Sequence, residues 1–536
     1  MKRTLFPFYS FILFTLAFPH ANLWLFAWVC LVPYLFFIYS ENKWHKLIII
    51  PSCAFFIPMA YGCFGFAYFS FLFYFIFVLF MTISIIPVTI ILKFIIRKGM
   101  HFTNILRNIF IILSISSVWV TYEYFRSSAP IIKFCGGMLL GYSQTYNIPI
   151  LQYASIFGVH GISFLIVALN SALFLLLMPL EEGERREKII PFLIILFTII
   201  LVVIGYIKSS IDIEQKEEIK VGIIQPNTPP VRFWEWNDLD KREEKVITTL
   251  FQLMRQAALE APDIIILPER AFHGNFSEGS EYGVSRIKNL AKELNIPLII
   301  GATFIKGKFA RFNSAYFISS RGEITDRYDK IGLFPFGEYV PAGMLIEKVI
   351  NQTQLYKHFP SVFGIQQHAP YFSLDEYVNI DWLKAGTRPV VFKLNNKYSF
   401  STPICTEDVP PSIVRSFVNR GAQFIAVITN DVWYRRSSML YNHFFCSVFR
   451  AVENNVSVVR AANTGISAII LPNGRIKATV RDKKGREKMV KGYIVGRIPI
   501  TNGKTFYNQY GYIFPVLCTL LAIIFFITSF FIPYKK

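Results

Sequence analysis

Three polar side chains of complementary chemistry follow apolar runs in the second half of the chain. Glu269 follows Leu267-Pro268, Lys330 ends the run Arg327-Tyr328-Asp329-Lys330, and Cys405 stands in Pro403-Ile404-Cys405-Thr406-Glu407-Asp408. A carboxylate can take the proton of a thiol, the sulfur can attack an acyl group, and an ammonium can stabilise the resulting oxyanion. The product is a thioester, which passes its acyl group on. Residue types alone leave the structural alternatives open: a packed thiol, a helix-capping Glu269 and a surface pair of Lys330 with Asp329.

The elements that must position these side chains alternate between short β-branched runs and amphipathic stretches. The predicted buried strands are 219–224, 264–267, 298–301, 315–319, 398–404, 424–429 and 456–460, and the predicted helices are 239–260 and 284–294. This alternation is typical of α/β layers, in which sites gather where strands end. The stretch 338–389 lacks the rhythm and is rich in aromatic residues, Gly and Pro, so we predict a lid or insertion at 342–388.

The first part of the chain has the composition of a membrane domain. Residues 1–207 hold 13 Lys/Arg and 6 Asp/Glu, whereas the whole chain of 536 residues holds 55 and 35. Runs of about 20 apolar residues can cross a bilayer. Candidate spans are 5–18, 23–40, 47–66, 69–92, 106–125, 160–180, 189–207 and 511–532. We therefore predict a transmembrane domain of about seven helices at 1–208, an external domain at 213–505 and a final helix at 511–532.

The distribution of Lys and Arg predicts the orientation. Basic residues cluster before the first span, after the second, between the fourth and fifth, after the sixth and at the chain end, and the alternate loops are nearly bare. Basic loops stay in the cytoplasm. Both termini are then cytoplasmic and the large domain is external. A cleavable signal peptide at 5–18 is the alternative, and it would leave the large domain on the same side.

The net charge and the cysteine spacing limit the classes of partner and cofactor that we expect. The net charge of +20 fits positive-inside loops with a solvated basic face, or attraction to anionic lipid head groups. The chain has no nucleic-acid module, so we expect no nucleic-acid partner. Its seven cysteines form no Cys-x-x-Cys pair and no metal-ligand spacing, so we expect no metal and no cofactor. A Cys405–Cys446 disulfide is a minor alternative.

The order and spacing of these residues resemble a known family. Glu269, Lys330 and Cys405 in this order resemble the nitrilase superfamily with its αββα sandwich. The run Pro335-Phe336-Gly337-Glu338-Tyr339-Val340-Pro341 and Cys405-x-Glu407 are similar to the membrane-anchored branch, the apolipoprotein N-acyltransferases. Further similar blocks are Gln225-x-Asn227, Asn430-Asp431-x-Trp433, His443, Arg460, Asn463-Thr464-Gly465, Glu123-x-x-Arg126 and Gly141-Tyr142-Ser143-Gln144.

The resemblance implies a function. Cys405 would take an acyl chain from a phospholipid, the sn-1 chain of phosphatidylethanolamine, as a thioester. It would pass the chain to the α-amine of the diacylglyceryl-cysteine of an apolipoprotein. This is the last step of bacterial lipoprotein maturation, on the outer side of the inner membrane.

The resemblance also implies residue roles. Glu269 would be the base, Lys330 the oxyanion stabiliser, Glu338 and Glu407 supporting carboxylates, and Trp234 a substrate-binding residue. We expect a monomer. Arg270, next to the base, departs from the family's pattern, and charge pairing with it would hold Glu269 ionised.

Two other functions remain open. One is a membrane-anchored amidase of the same fold, with water as the acceptor. The other is a non-catalytic membrane scaffold or transporter, which the lack of charged residues in the middle of the spans disfavours.

Overall fold

The chain forms two compact units, and the structure is a computed structural model. It describes residues 3–68, 71–102, 104–129, 132–178, 188–210, 217–228, 239–271, 276–277, 282–307, 310–335, 337–339 and 383–532. One unit comprises Met1–Phe64, Tyr74–Ile213 and Thr505–Lys536, and the other comprises Gly65–Phe73 and Glu214–Lys504.

The first unit is built from apolar helices. Within the described residues, six helices are long and apolar enough to cross a membrane: Trp44–Gly62, Phe71–Gly99, Ile105–Ser128, Ala154–Leu177, Ile189–Ser210 and Ile513–Phe531. These six helices correspond in position to the last six predicted spans. The first two predicted spans are shorter apolar helices, Arg3–Leu16 and Trp24–Ser40.

Two of these long helices are interrupted. The 29-residue helix consists of Phe71–Ile83 and Ile85–Gly99, with Ser84 between them. Gly158 interrupts Ala154–Leu177 with a φ of 66°, a conformation that glycine adopts without strain.

A buried carboxylate organises the polar interior of the first unit. Glu123 is 1% exposed, and its Oε1 accepts hydrogen bonds from the indole of Trp119 at 2.9 Å and from the backbone N–H of Leu140 at 2.7 Å. Leu140 begins the short helical turn Leu140–Gln144, whose next backbone N–H, that of Gly141, donates to Ser163 Oγ at 2.9 Å. Polar side chains thus satisfy backbone groups that lack regular helical partners, as an apolar surrounding requires.

The second unit is a two-sheet α/β fold. The first sheet contains β1 (Glu218–Gln225), β2 (Ile264–Ile266), β3 (Phe276–Ser277), β4 (Leu298–Lys306), β5 (Ala310–Ile318), β6 (Ile324–Asp329) and β13 (Gly492–Pro499). Its order is β13-β1-β2-β4-β5-β6, with β3 beside β4. Strands β1, β2 and β4 run parallel, and β5, β6 and β13 pair antiparallel to their neighbours.

The second sheet contains the remaining strands, β7 (Phe392–Leu394), β8 (Tyr398–Ser401), β9 (Phe424–Thr429), β10 (Ser457–Ala462), β11 (Ala468–Ile470) and β12 (Ile476–Thr479), in the order β12-β11-β10-β9-β8-β7. The two sheets face each other. The ring of Phe317 on β5 lies 5.6 Å from that of Phe400 on β8, and Gln225 at the end of β1 accepts the backbone N–H of Ser467 at 3.2 Å.

Helices cover the outer faces of the sandwich. Leu239–Ala258 and Tyr282–Leu294 bury Leu250, Met254 and Leu290 in one apolar core with the first sheet. Pro411–Asn419 and Met439–Asn454 belong to the half of the fold that holds the second sheet. The arrangement is the αββα sandwich expected from the sequence.

Most predicted elements are confirmed. The seven predicted strands correspond to β1, β2, β4, β5, β8, β9 and β10, and both predicted helices begin and end within two residues of their observed bounds. The predicted strand 398–404 ends earlier, at Ser401, because the chain turns toward Cys405. Of the predicted lid at 342–388, residues 342–382 lie outside the described residues.

Candidate active site

Strand β2 and the close approach of the β4 backbone position Glu269 in the site. All three residues of β2 are buried, and the chain continues in register as Leu267 N–H donates to Ile299 O at 2.9 Å. At Gly301 on β4, an added Cβ would come within 2.7 Å of Glu269 Cα and 2.8 Å of Arg270 N. Only glycine allows β4 to lie this close to the segment that carries Glu269.

The carboxylate of Glu269 is buried and has two hydrogen-bond donors. The side-chain amide of Asn313 donates to Oε1 at 2.6 Å, and the backbone N–H of Asn430 donates to Oε2 at 2.8 Å. Burial raises the pKa of Glu269, and Lys330 counteracts only part of that rise. A carboxylate with a raised pKa is suited to accept a proton from a thiol.

The charge of Arg270 favours the ionised form of Glu269, but burial outweighs it and the pKa of Glu269 stays above its ordinary value. Arg270 is exposed with a φ of 49°, and Glu269 is held by Asn313 and Asn430. Sequence adjacency thus gives an electrostatic influence, and Asn313 and Asn430 supply the hydrogen bonds to Glu269.

Lys330 follows β6 and is 1% exposed. Its Nζ lies 2.8 Å from Glu338 Oε2, and its backbone N–H donates to Asn313 O at 2.9 Å. Burial opposes the charge of this ammonium, but Glu338, Cys405 and Glu269 outweigh burial and raise the pKa of Lys330. The side chain is therefore a cation at neutral pH.

Glu338 holds the ammonium of Lys330 in place. Besides that ion pair, Glu338 Oε1 accepts the Asn313 amide at 2.9 Å and Oε2 accepts the backbone N–H of Phe334 at 2.8 Å. Burial opposes ionisation, yet Lys330 and these hydrogen bonds lower the pKa of Glu338 below its ordinary value. Glu338 is thus an anion, and Glu269 is the carboxylate with the higher proton affinity.

Cys405 stands at a strained turn beyond β8. Its φ is 54°, which is costly for a residue with a side chain, and Ile404 just before it forms a bridge with Ile428 of β9. The residue is partly exposed, unlike the fully buried Cys446. Burial of the thiol and the carboxylate of Glu269 raise the pKa of Cys405 well above its ordinary value, and Lys330 counteracts them. The resting form is a thiol that needs a base.

Hydrogen bonds to Glu407 link the turn that carries Cys405 to the segment that follows Lys330. Glu407 Oε2 accepts the backbone N–H of Ile404 at 2.7 Å, and its Oε1 accepts those of Ile331 and Gly332, both at 2.8 Å. The Tyr328 hydroxyl donates to Oε1 at 2.8 Å as well. Burial raises the pKa of Glu407 to about 7, and Lys330 counteracts burial. The Glu407 carboxylate therefore fixes both the backbone next to Cys405 and the backbone next to Lys330.

The structure brings five of the six predicted site residues into one group, joined by direct contacts or by mutual electrostatic influence: Glu269, Lys330, Glu338, Cys405 and Glu407. Trp234 lies outside the described residues. Sequence reasoning missed Asn313, the amide that joins Glu269 to Glu338. The available signal was an amide between Phe312 and the predicted strand 315–319.

The comparisons with known proteins agree with this geometry. The family model described as carbon-nitrogen hydrolase matches residues 220–494, about half of the chain, and the model of the apolipoprotein N-acyltransferase N-terminal domain matches residues 10–172. The apolipoprotein N-acyltransferase of Geobacter metallireducens is 31% identical over 433 residues, which cover 80% of this chain and 75% of that protein. The chain belongs to the apolipoprotein N-acyltransferase family.

Other members of the apolipoprotein N-acyltransferase family are similarly distant. The protein of that name from Aquifex aeolicus is 30% identical, with 67% of this chain and 71% of that protein covered. A crystal structure of an amidase from Nesterenkonia sp. is similar over 55% of this chain and 92% of its own, at 17% identity and a TM-score of 0.36. The nitrilase-like fold is established by the two observed sheets and by the family models.

Membership in the apolipoprotein N-acyltransferase family and the six long apolar helices both indicate a membrane enzyme. The chain is an acyltransferase and a multi-pass inner-membrane protein, with a nitrilase-like α/β domain in the same polypeptide.

Proposed function

We propose that this acyltransferase completes the maturation of lipoproteins with Cys405 as its nucleophile. The acyl donor is a phospholipid, phosphatidylethanolamine in the first place, and the acceptor is the free α-amine of a diacylglyceryl-cysteine at the N-terminus of an apolipoprotein. The observation that carries this proposal is the hydrogen-bonded site around Cys405. Glu407 joins the backbone beside Cys405 to that beside Lys330, and Asn313 joins Glu269 to Glu338, the ion-pair partner of Lys330. The same chain has helices long and apolar enough to cross a membrane.

The first half-reaction forms a thioester. Glu269 takes the proton of Cys405 as the sulfur attacks the ester carbonyl of the phospholipid, and Lys330 stabilises the oxyanion of the tetrahedral intermediate. The C–O bond then breaks, and protonated Glu269 returns the proton to the departing lyso-phospholipid oxygen. The raised pKa of Glu269 supports both directions of this transfer, because such a carboxyl accepts and releases a proton near neutral pH.

The second half-reaction forms the amide. The α-amine of the acceptor attacks the thioester carbonyl, Glu269 takes a proton from the nitrogen, and Lys330 again stabilises the oxyanion. The C–S bond breaks, and the sulfur regains a proton from Glu269. Glu338 supports both steps by holding Lys330 at 2.8 Å. Glu407 supports them by fixing the backbone of the nucleophile turn.

The proposal includes an orientation and a substrate entry. We place both termini in the cytoplasm and the nitrilase-like domain on the outer side of the membrane, where both lipid substrates lie. We assign Trp234 to substrate binding and 342–388 to a lid that admits lipid, and we expect the enzyme to act as a monomer.

A labelled-donor experiment tests the proposed function. The purified full chain is incubated with phosphatidylethanolamine that carries a labelled sn-1 chain, and the Cys405 peptide is examined by mass spectrometry with and without a diacylglyceryl-cysteine peptide. We expect a labelled thioester on Cys405 that disappears as the label appears on the peptide amine. Cys405→Ser and Glu269→Gln should form almost no labelled intermediate. The matched controls Cys446→Ser, a buried thiol outside the site, and Glu293→Gln, an exposed carboxylate, should behave as the wild type does.

Two outcomes would contradict the proposal. Release of the label only as free fatty acid would indicate water as the acceptor, as in the hydrolases of the superfamily. Normal transfer by Cys405→Ser would show that the sulfur is not the nucleophile.

A further inference from the structure

A buried charge cluster lies directly behind the nucleophile turn. We call Asp408, Asp431, His443 and Arg460 the rear cluster, and each of the four is at most 5% exposed. Arg460 binds both carboxylates, with 2.8 Å to Asp408 Oδ2 and 3.0 Å to Asp431 Oδ2. His443 also binds both, with Nε2 2.8 Å from Asp408 Oδ1 and Nδ1 2.8 Å from Asp431 Oδ1. The proposed reaction uses none of these four groups.

The rear cluster is electrically balanced. Burial opposes ionisation of Asp431 and Asp408, but His443 and Arg460 outweigh it and lower the pKa of both carboxyls. Burial likewise opposes the charge of His443, yet the two carboxylates raise its pKa to about 9. Two anions and two cations therefore stand together at neutral pH.

His443 also faces groups on other elements, and the guanidinium of Arg460 lies 3.1 Å from its Nδ1. The Tyr434 ring packs edge-on at 6.4 Å, and the Cys405 carbonyl lies 3.3 Å from Nε2.

Thr429 connects the rear cluster to the reactive sulfur. It is the last residue of β9 and is fully buried, and its hydroxyl donates to Asp431 Oδ1 at 3.0 Å. Ile404 and Ile428 form a parallel bridge, and Ile428 N–H donates to Pro403 O at 3.2 Å, so Thr429 and Cys405 are the next residues of two paired segments. The Thr429 hydroxyl also counteracts the rise in the pKa of the Cys405 thiol. A threonine hydroxyl has one proton to donate and two lone pairs to accept with. It can therefore donate to Asp431 or to the sulfur, but not to both.

We propose that Thr429 is a further catalytic residue, whose hydroxyl turns from Asp431 to the Cys405 sulfur when Glu269 takes the thiol proton. In the resting enzyme the thiol S–H donates to Thr429 Oγ1, and Thr429 donates to Asp431. When the thiolate forms, its proton resides on Glu269 and the Thr429 O–H donates to the sulfur. No other proton changes place.

The rear cluster makes this rotation inexpensive. Asp431 keeps His443 on Oδ1 and Arg460 on Oδ2 after Thr429 turns away, so its buried carboxylate stays hydrogen-bonded. His443 acts as a positioning residue: it compensates the charge of Asp431, which would otherwise repel the thiolate. The Thr429 hydroxyl donates to an anion before and after the rotation, so one charge-assisted hydrogen bond replaces another.

The experiment follows the ionisation of Cys405 without acyl transfer. The full chain in phosphatidylcholine nanodiscs is treated with iodoacetamide at several pH values, and alkylation of the Cys405 peptide is timed by mass spectrometry. The thiolate is the species that reacts. We expect Thr429→Val to slow alkylation about tenfold at pH 8 and to move the profile about one pH unit upward, which corresponds to a tenfold change in the thiolate fraction.

Further variants separate the hydroxyl from its packing. Thr429→Ser keeps the hydroxyl and should restore most of the rate. His443→Gln should shift the profile in the same direction as Thr429→Val, because the cluster then carries a net negative charge. Thr402→Val is the matched control: Thr402 is a fully buried threonine whose hydroxyl has no partner among the described residues, and its loss should leave the profile unchanged.

The inference depends on Cys405 as the nucleophile of the proposed function, but the two fail differently. An unchanged profile in Thr429→Val, or a serine variant as slow as the valine variant, overturns the role of Thr429 while labelled transfer continues. Shifted profiles together with an absent labelled thioester would instead overturn the proposed function and leave the effect of Thr429 on the thiol standing.

Discussion

The side-chain nitrogen of Asn313 lies 2.6 Å from Glu269 Oε1. The same nitrogen lies 2.9 Å from Glu338 Oε1, so one amide donates hydrogen bonds to two carboxylates that have different roles. Glu338 is kept ionised by Lys330, whereas burial raises the pKa of Glu269. Two neighbouring carboxyls whose environments move their pKa values in opposite directions are a recurring arrangement for acid–base chemistry.

Asn313→Ala should weaken acyl transfer and move its pH dependence. The amide favours the ionised form of Glu269, so its loss raises the pKa of Glu269 further. The rate, which falls as pH decreases and Glu269 becomes protonated, should then begin to fall at a higher pH. We expect at least a tenfold loss near neutral pH, in line with a charged hydrogen bond of about 1.5–3 kcal/mol. Ser314→Ala is the control, because Ser314 bonds Asp329 and alternates to the other face of the strand. A pH profile equal to that of the wild type would contradict the assignment of Glu269 as base.

Lys330→Met should slow formation of the thioester about 10²–10³-fold, the usual consequence of removing one oxyanion donor. Single-turnover measurement with labelled phospholipid separates this effect from substrate binding. The exposed Lys397, which pairs with Glu217 on the surface, provides the control Lys397→Met. A variant that loses binding but acylates at the normal rate would show that Lys330 serves the substrate complex only.

Gly301→Ala should reduce activity through backbone displacement, without removing a polar group. The new methyl would meet the backbone of Glu269 and Arg270 below van der Waals distance, so the segment that carries the base must move. Gly222→Ala on β1 is the control, because its methyl would meet only side-chain carbons at 3.3 Å and beyond. Comparing the rate of thioester formation with the thermal midpoint distinguishes a displaced base from general unfolding. Full activity in Gly301→Ala would mean that the approach of β4 is not what positions Glu269.

His443 should make the stability of the protein depend on pH in the alkaline range. Its pKa in the folded protein is about 9, above the ordinary value of 6.5. A raised pKa stabilises the folded state fully below about pH 6.5, and that contribution is lost as pH rises through about 9. The thermal midpoint of the wild type should therefore decrease as the pH rises from 7 to 10. His443→Gln should show a lower midpoint at pH 7 and a weaker decline, and the exposed His45→Gln should match the wild type. Parallel declines in wild type and His443→Gln would refute the buried imidazolium.

The elements that carry the reactive residues were readable from the sequence because their signals are local. Buried strands such as β1 and β9 are short apolar runs. Glu269 and Cys405 each follow a strand that was predicted from such a run, whereas Lys330 follows β6. Strand β6 was not predicted as a strand because its first three residues are exposed, which removes the apolar alternation. The rear cluster and Asn313 depend on contacts between residues far apart in the chain, and no local pattern shows which donor meets which carboxylate.

The turn Phe64–Tyr68 lies between two apolar helices in the chain, yet Gly65–Phe73 belongs to the unit that holds the nitrilase-like domain. There the ring of Phe66 lies 6.0 Å from that of Phe334 and 6.2 Å from that of Tyr434, and Arg435 lies over the Tyr68 ring at 4.9 Å. On the ribosome this turn emerges some 270 residues before Phe334 and 370 before Tyr434. The aromatic rings of this turn are therefore synthesised long before the residues that they contact. A soluble fragment that begins at residue 214 would lack the turn and its rings.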